Sequence, residues 1–127
     1  MENTYKVTII KSSKELTSKE KIQLKDTSEC ISLDKFSQQA GAELMEIPVL
    51  GYVILAVHNE KAKGDVDYEQ LVILSDGDKY ITGSNSFRSS FFDIYEEMEG
   101  ETEPWAIRVI RKPSKNYGGE FLKAVLA

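Results

Sequence analysis

Residues 70–98 read QLVILSDGDKYITGSNSFRSSFFDIYEEM, and along them the pattern changes from strand to turn to strand to helix. Residues 70–74 and 79–82 are short runs rich in β-branched, apolar and aromatic side chains, which is typical of strands. Asp76-Gly77 between them indicates a hairpin turn, because glycine accepts a positive φ. The stretch therefore predicts a β-hairpin that leads directly into a helix.

The predicted helix begins after Gly83, where the hydroxyl of Ser84 or Ser86 can accept hydrogen bonds from free backbone amides. Its apolar residues recur at spacings of four, three and four, which places them on one helical face. These residues are Phe87, Phe91, Ile94 and Met98. Gly100 is expected to end the helix.

Two further strands are predicted after this helix. Residues 105–112 alternate, so that one side carries Trp105, Ile107 and Val109 and the other carries Arg108, Ile110 and Lys112. Residues 116–119 predict a turn, and residues 121–126 predict the last strand. The aromatic residues expected in the core are Phe87, Phe91, Trp105 and Phe121.

The N-terminal half is less regular. Residues 5–10 and 50–58 predict strands, the second of them apolar on both faces and therefore central. Residues 20–25 alternate polar and apolar side chains and favour a strand, although their Lys and Glu content also permits a helix over 13–24. Residues 59–68 predict a loop.

Residues 26–48 do not give a single prediction. Ile31, Leu33 and Phe36 fit a short strand or a turn, and residues 38–45 fit a short helix that ends before Pro48.

The length of 127 residues predicts one domain, residues 1–127. The order of three strands, one helix and two strands is that of an OB-like five-stranded barrel, which carries one helix between its third and fourth strands. The fold class expected is therefore mainly β (α+β) with an OB-like barrel. The competing prediction is an α+β sheet with the helix on one face.

Catalytic and metal-binding motifs do not occur in a complete form, so the sequence favours a binding protein over an enzyme. Hydrophobic residues make up 41% and charged residues 29%, a normal balance for a globular protein. Cys30 is the only cysteine and His58 the only histidine, which excludes an internal disulfide and a multi-histidine metal site, and fits a reducing compartment. The apolar run 49–57 is too short to span a membrane. No catalytic residue, metal or cofactor is predicted.

Charge is distributed unevenly along the chain, whose net charge is −5. Residues 1–25 carry six lysines and three glutamates, and residues 104–127 carry five basic residues and one glutamate. The acidic residues lie between them, most densely over 93–103. If the two ends pack side by side, the fold has one basic face.

The segment from Arg108 to Tyr117 has the composition of a single-stranded nucleic-acid site, in which cations contact phosphates and aromatic rings stack on bases. Its candidate contacts are Arg108, Arg111, Lys112, Lys115, Asn116 and Tyr117. Tyr80 and Tyr52 are further candidates for stacking.

Residues 50–127 also resemble a family of small proteins from bacteriophages and prophages of Gram-positive hosts, commonly described as single-stranded DNA-binding proteins. The motifs that carry the resemblance are Val57-His-Asn-Glu-Lys61, Tyr80-Ile-Thr-Gly-Ser84 and Pro113-Ser-Lys-Asn-Tyr117. The resemblance implies an accessory role in phage replication or recombination, in the cytoplasm of the bacterial host. It also implies that Lys115, Asn116 and Tyr117 lie in or near a DNA-contacting loop.

A second hypothesis is a phage-encoded inhibitor that binds a host nuclease or immune complex. In that case the acidic helix 86–99, with Glu96, Glu97 and Glu99, contacts a replication or host protein. The sequence leaves the oligomeric state open, a homo-oligomer included.

Overall fold

The computed structural model describes residues 5–13, 15–25, 30–59, 66–113 and 120–127. The helices are α1 (Ser18–Lys25), α2 (Leu33–Ser37) and α3 (Asn85–Met98), with a 3-10 turn at Ala42–Leu44. The strands are β1 (Tyr5–Ser12), β2 (Ile31–Ser32), β3 (Ile47–Pro48), β4 (Gly51–Asn59), β5 (Val66–Leu74), β6 (Lys79–Thr82), β7 (Ala106–Pro113) and β8 (Glu120–Leu126).

The described strands form two sheets in a mixed α+β, strand-rich fold. The larger sheet has five strands in the order β1-β4-β5-β6-β2, and the smaller has three in the order β3-β7-β8. All pairs are antiparallel except β2 with β6. The predicted strand-rich α+β class is confirmed, whereas the five-stranded sheet does not close into the predicted OB-like barrel.

The main core lies between one face of the larger sheet, α3 and the inner face of the smaller sheet. Phe87 and Phe91 of α3 are fully buried there. Burial of a side chain of this size stabilises the fold by roughly 1.5–3 kcal/mol. The strand residues that complete this core are Ile47, Tyr52, Ile54, Leu71, Ile73, Ile107, Val109, Leu122 and Ala124.

A second, smaller core covers the opposite face of the larger sheet. Val53, Leu55 and Val72 are buried on that face, and Leu24 of α1 packs against them. Strand β4 therefore has apolar residues on both faces and lies between β1 and β5, as its sequence predicts.

The boundaries of α3 follow the local signals. The Ser84 hydroxyl accepts a hydrogen bond from the Phe87 amide at 3.2 Å, which satisfies one free donor at the helix start. Gly100, with a φ of 95°, follows the helix end, and the turn between β5 and β6 uses Gly77 at a φ of 79°. The predicted hairpin, helix start and helix end are confirmed.

Helix α1 replaces the strand predicted over residues 20–25. The Thr17 amide donates to Glu20 Oε1 and the Glu20 amide donates to Thr17 Oγ1, each at 3.1 Å. This reciprocal arrangement is a capping box, which starts a helix at Ser18. The alternative of a helix over 13–24 is the nearer one.

The remaining predictions are confirmed in part. Strand β1 is present, and β7 and β8 match the last two predicted strands within a residue or two. The predicted loop 59–68 is too long, because β4 extends to Asn59 and β5 starts at Val66. The ambiguous segment contains β2, α2, the 3-10 turn and β3. The predicted turn 116–119 lies outside the described residues.

Candidate nucleic-acid interface

Strands β7 and β8 form an antiparallel ribbon with one buried and one outward side. Ile107 and Val109 of β7, with Leu122 and Ala124 of β8, face the main core. Because side chains alternate along a strand, the residues between them point away from the core. We call this side of the ribbon the outer face, and it consists of Arg108, Ile110, Lys112, Phe121, Lys123 and Val125.

The outer face combines cations with apolar side chains in register. Lys112 pairs with Phe121, Lys123 with Ile110, and Arg108 with Val125. Lys112 and Phe121 are exposed, and the other four side chains are half-buried. The face includes no carboxylate from the described residues of these two strands. It therefore offers three positive charges and one accessible aromatic ring on one surface.

The side chain of Arg108 carries an unsatisfied donor. Its Nε is shielded from solvent and has no hydrogen-bond partner within the described part of the chain. A buried donor without a partner costs about 1–3 kcal/mol.

Arg111 lies on the other side of the ribbon from Arg108 and Lys112. It follows Val109 on the inward side, and its guanidinium Nη1 donates to Ser37 Oγ of α2 at 2.8 Å. Arg111 thus connects β7 to α2, and it does not share a surface with the outer face.

Tyr52 lies in the main core, with 5% of its surface exposed. Its ring makes edge-to-face contacts with Phe92 and Tyr95 at 5.0 and 4.9 Å between centroids. The structure therefore places Tyr52 in the core and not on the outer face.

Tyr80 is half-buried on β6, where its ring meets Phe36 edge-to-face at 5.6 Å. Burial, and after it the negative charge of Asp78, raise the pKa of the Tyr80 hydroxyl. Strand β6 belongs to the larger sheet, so Tyr80 and the outer face lie on different sheets. Lys115, Asn116 and Tyr117 fall outside the residues that the structure describes.

Phe121 and Lys123 are the interface residues that the sequence analysis missed. Phe121 was expected in the core, but its neighbours Leu122 and Ala124 are the buried ones, and 36% of Phe121 is exposed. The strand alternation of residues 121–126 contains this information once Leu122 is assigned to the core.

Two serines of α3 form hydrogen bonds with the backbone of the edge strand β8. Ser86 Oγ donates to the Leu122 carbonyl at 3.1 Å, and Ser90 Oγ accepts from the Ala124 amide at 2.8 Å. These bonds satisfy backbone groups that an edge strand otherwise presents to other chains. They also fix the position of β8, and therefore of Phe121 and Lys123, against the helix.

The described residues contain no group of three or more His, Cys, Asp or Glu side chains placed to hold a metal ion. None of their helices is long and apolar enough to cross a membrane.

Comparison with known proteins gives no relative to set beside this geometry. No protein-family model matches the chain, and no curated protein and no solved structure matches it significantly. Support for the candidate interface therefore comes only from the sequence and structure of this chain.

Proposed function

We propose that this protein binds single-stranded DNA through the outer face of the β7–β8 ribbon. The observation that carries the proposal is that Arg108, Lys112 and Lys123 share one surface with the exposed ring of Phe121. Proteins that hold single strands combine cations along the backbone path with aromatic rings for the bases.

The cations supply the part of the affinity that does not depend on sequence. Lys112 and Lys123 lie on adjacent strands, and Arg108 lies on β7 two residues from Ile110, the partner of Lys123, and four residues from Lys112. A phosphodiester oxygen is a good acceptor for the guanidinium and ammonium donors of these side chains. The three cations can therefore contact the phosphates of a single strand whatever its bases.

Phe121 supplies the base contact in this proposal. A ring that stands on a strand beside Lys112 can stack on an unpaired base while the ammonium group reaches the adjacent phosphate. Duplex DNA does not offer an unstacked base, so the ring favours single strands. Ile110 and Val125 add apolar surface farther along the same face.

An accessory role in phage replication or recombination, in the cytoplasm of a bacterial host, is part of the same proposal. It rests on the sequence resemblance of residues 50–127 to phage single-stranded DNA-binding proteins. The same resemblance implies a DNA contact for Lys115, Asn116 and Tyr117, which follow β7 in the sequence and lie outside the described residues.

Fluorescence anisotropy with labelled oligo-dT tests the proposal. Three phosphate contacts predict that log K falls against log salt with a slope of about −2, since single strands give roughly −0.7 per contact. Duplex DNA of the same length is the control and should bind more weakly. Absence of salt-dependent binding at micromolar protein and low salt would contradict the proposal.

A further inference from the structure

A groove lies at the C-terminal end of α3, on different elements from the outer face. It has a volume of about 320 Å³ and runs between the end of the helix and residues 99–105. Its apolar wall includes Tyr95 and Met98 of α3 and Trp105, all half-buried. Leu50, which is 66% exposed, also lines it.

The aromatic wall is held in place by its own contacts. The rings of Tyr95 and Trp105 meet edge-to-face at 5.9 Å, and the Trp105 carbonyl accepts a hydrogen bond from the Val49 amide at 3.1 Å. The groove therefore presents preformed aromatic surface that stays partly open to solvent. Half-exposed aromatic residues of this kind are typical anchors of binding sites.

The rim of the groove is anionic. Glu99, Glu101 and Glu103 line it, and all three side chains are exposed. No basic residue stands in the last turn of α3. A helix C-terminus carries partial negative charge, so carboxylates at this end are unfavourable to the free helix.

These three features suit one kind of occupant. An arginine or lysine side chain has an apolar stem that can lie along Met98 and Leu50, and a cationic head that can face the Trp105 ring and the carboxylates. The same head offsets the unfavourable charge at the helix end. An anionic segment is repelled here, and a purely apolar segment leaves the rim without partners.

We propose that this groove is a docking site for a basic segment of a partner protein, with an arginine or lysine side chain inserted beside Trp105. This inference does not depend on DNA binding. It moves the protein contact expected for the acidic helix from the side of α3 to its C-terminal end.

Trp105 is the only tryptophan of the chain, so its emission reports on the groove directly. The probe is the peptide acetyl-Gly-Arg-Arg-Arg-Gly-amide, titrated into the protein while Trp105 emission is recorded. We expect a saturable change in emission that added salt weakens. The peptide in which glutamines replace the arginines should give no change.

The variant Glu101→Gln with Glu103→Gln should weaken the peptide by about fivefold or more, because two exposed carboxylate contacts are lost. Asp34→Asn with Glu43→Gln removes the same charge from exposed positions that do not line the groove, and should bind like the wild type. Far-UV circular dichroism confirms that both variants are folded.

Three results would overturn the proposal. The first is unchanged Trp105 emission at millimolar peptide. The second is equal weakening by both double variants, which would mean that net charge and not the groove attracts the peptide. The third is a change in Trp105 emission with protein concentration alone, which would assign the groove to a second copy of this chain.

Discussion

Phe121 is the residue on which the proposed base contact depends. Its exposed ring stands beside Lys112 on the outer face, while Leu122 next to it is 3% exposed. We predict that Phe121→Ala weakens oligo-dT binding by about 1–3 kcal/mol, the usual cost of a lost stacking platform. Anisotropy at fixed low salt measures the change.

Leu126→Ala is the matched control for Phe121→Ala. Leu126 is also on β8 and is 50% exposed, but it pairs with Ile107 on the other side of the ribbon. It should bind oligo-dT like the wild type. Equal losses in the two variants would show that truncation of β8, and not the missing ring, weakens binding.

At the residue scale, only part of the outer face could be predicted from the sequence. Arg108 and Lys112 were placed together because alternation is a local property. Tyr52 could not be excluded, because its burial depends on Phe92 and Tyr95, which are distant in sequence. Arg111 required knowledge of α2, whose Ser37 accepts its hydrogen bond.

Helix α3 and strand β8 form the element pair that supports the interface. Ser90 Oγ donates to the Phe87 carbonyl and accepts from the Ala124 amide. In Ser90→Ala the Ala124 amide loses this part-buried acceptor. We predict a loss of about 1–2 kcal/mol in the free energy of unfolding, measured by urea denaturation.

Ser89→Ala tests whether this loss belongs to the serine contact with β8. Ser89 is the exposed neighbour on the same helix, so its replacement should leave the unfolding midpoint nearly unchanged. If Ser89→Ala costs as much as Ser90→Ala, the effect comes from helix propensity and the edge contact has no special role.

Elements whose ends are set by neighbouring residues could be predicted from the sequence. The β5–β6 turn at Asp76-Gly77 and the Ser84 cap both lie within a few residues of what they control. The Thr17–Glu20 capping box has the same character, but the polar–apolar alternation of residues 20–25 competes with it and favours a strand. The sequence therefore predicts a strand over residues 20–25, where the structure has helix α1.

The arrangement of the sheets could not be predicted from local signals. The predicted order of strands and helix along the chain is that of an OB-like barrel. The order of strands within a sheet, however, depends on pairings between segments far apart in the sequence, such as β1 with β4. Strand β3 has only two residues, and α3 covers the edge of β8 through Ser86 and Ser90. These features keep the smaller sheet separate.

For the whole molecule, the net charge of −5 conceals two differently charged regions. The outer face presents Arg108, Lys112 and Lys123, whereas the rim of the groove at the end of α3 presents only carboxylates among its charged side chains. A protein with this distribution can bind an anionic polymer and a cationic segment at different places. Saturating oligo-dT should therefore leave the emission response of Trp105 to the arginine peptide unchanged.

The proposed function requires that the outer face, and not general positive charge, binds single-stranded DNA. The most direct measurement compares the salt dependence of oligo-dT binding for Lys112→Gln with Lys123→Gln against Lys19→Gln with Lys35→Gln, which removes two exposed lysines from α1 and α2. The slope of log K against log salt should become shallower by about 1.4 in the first variant and stay unchanged in the second. Equal slopes in the two variants would contradict it.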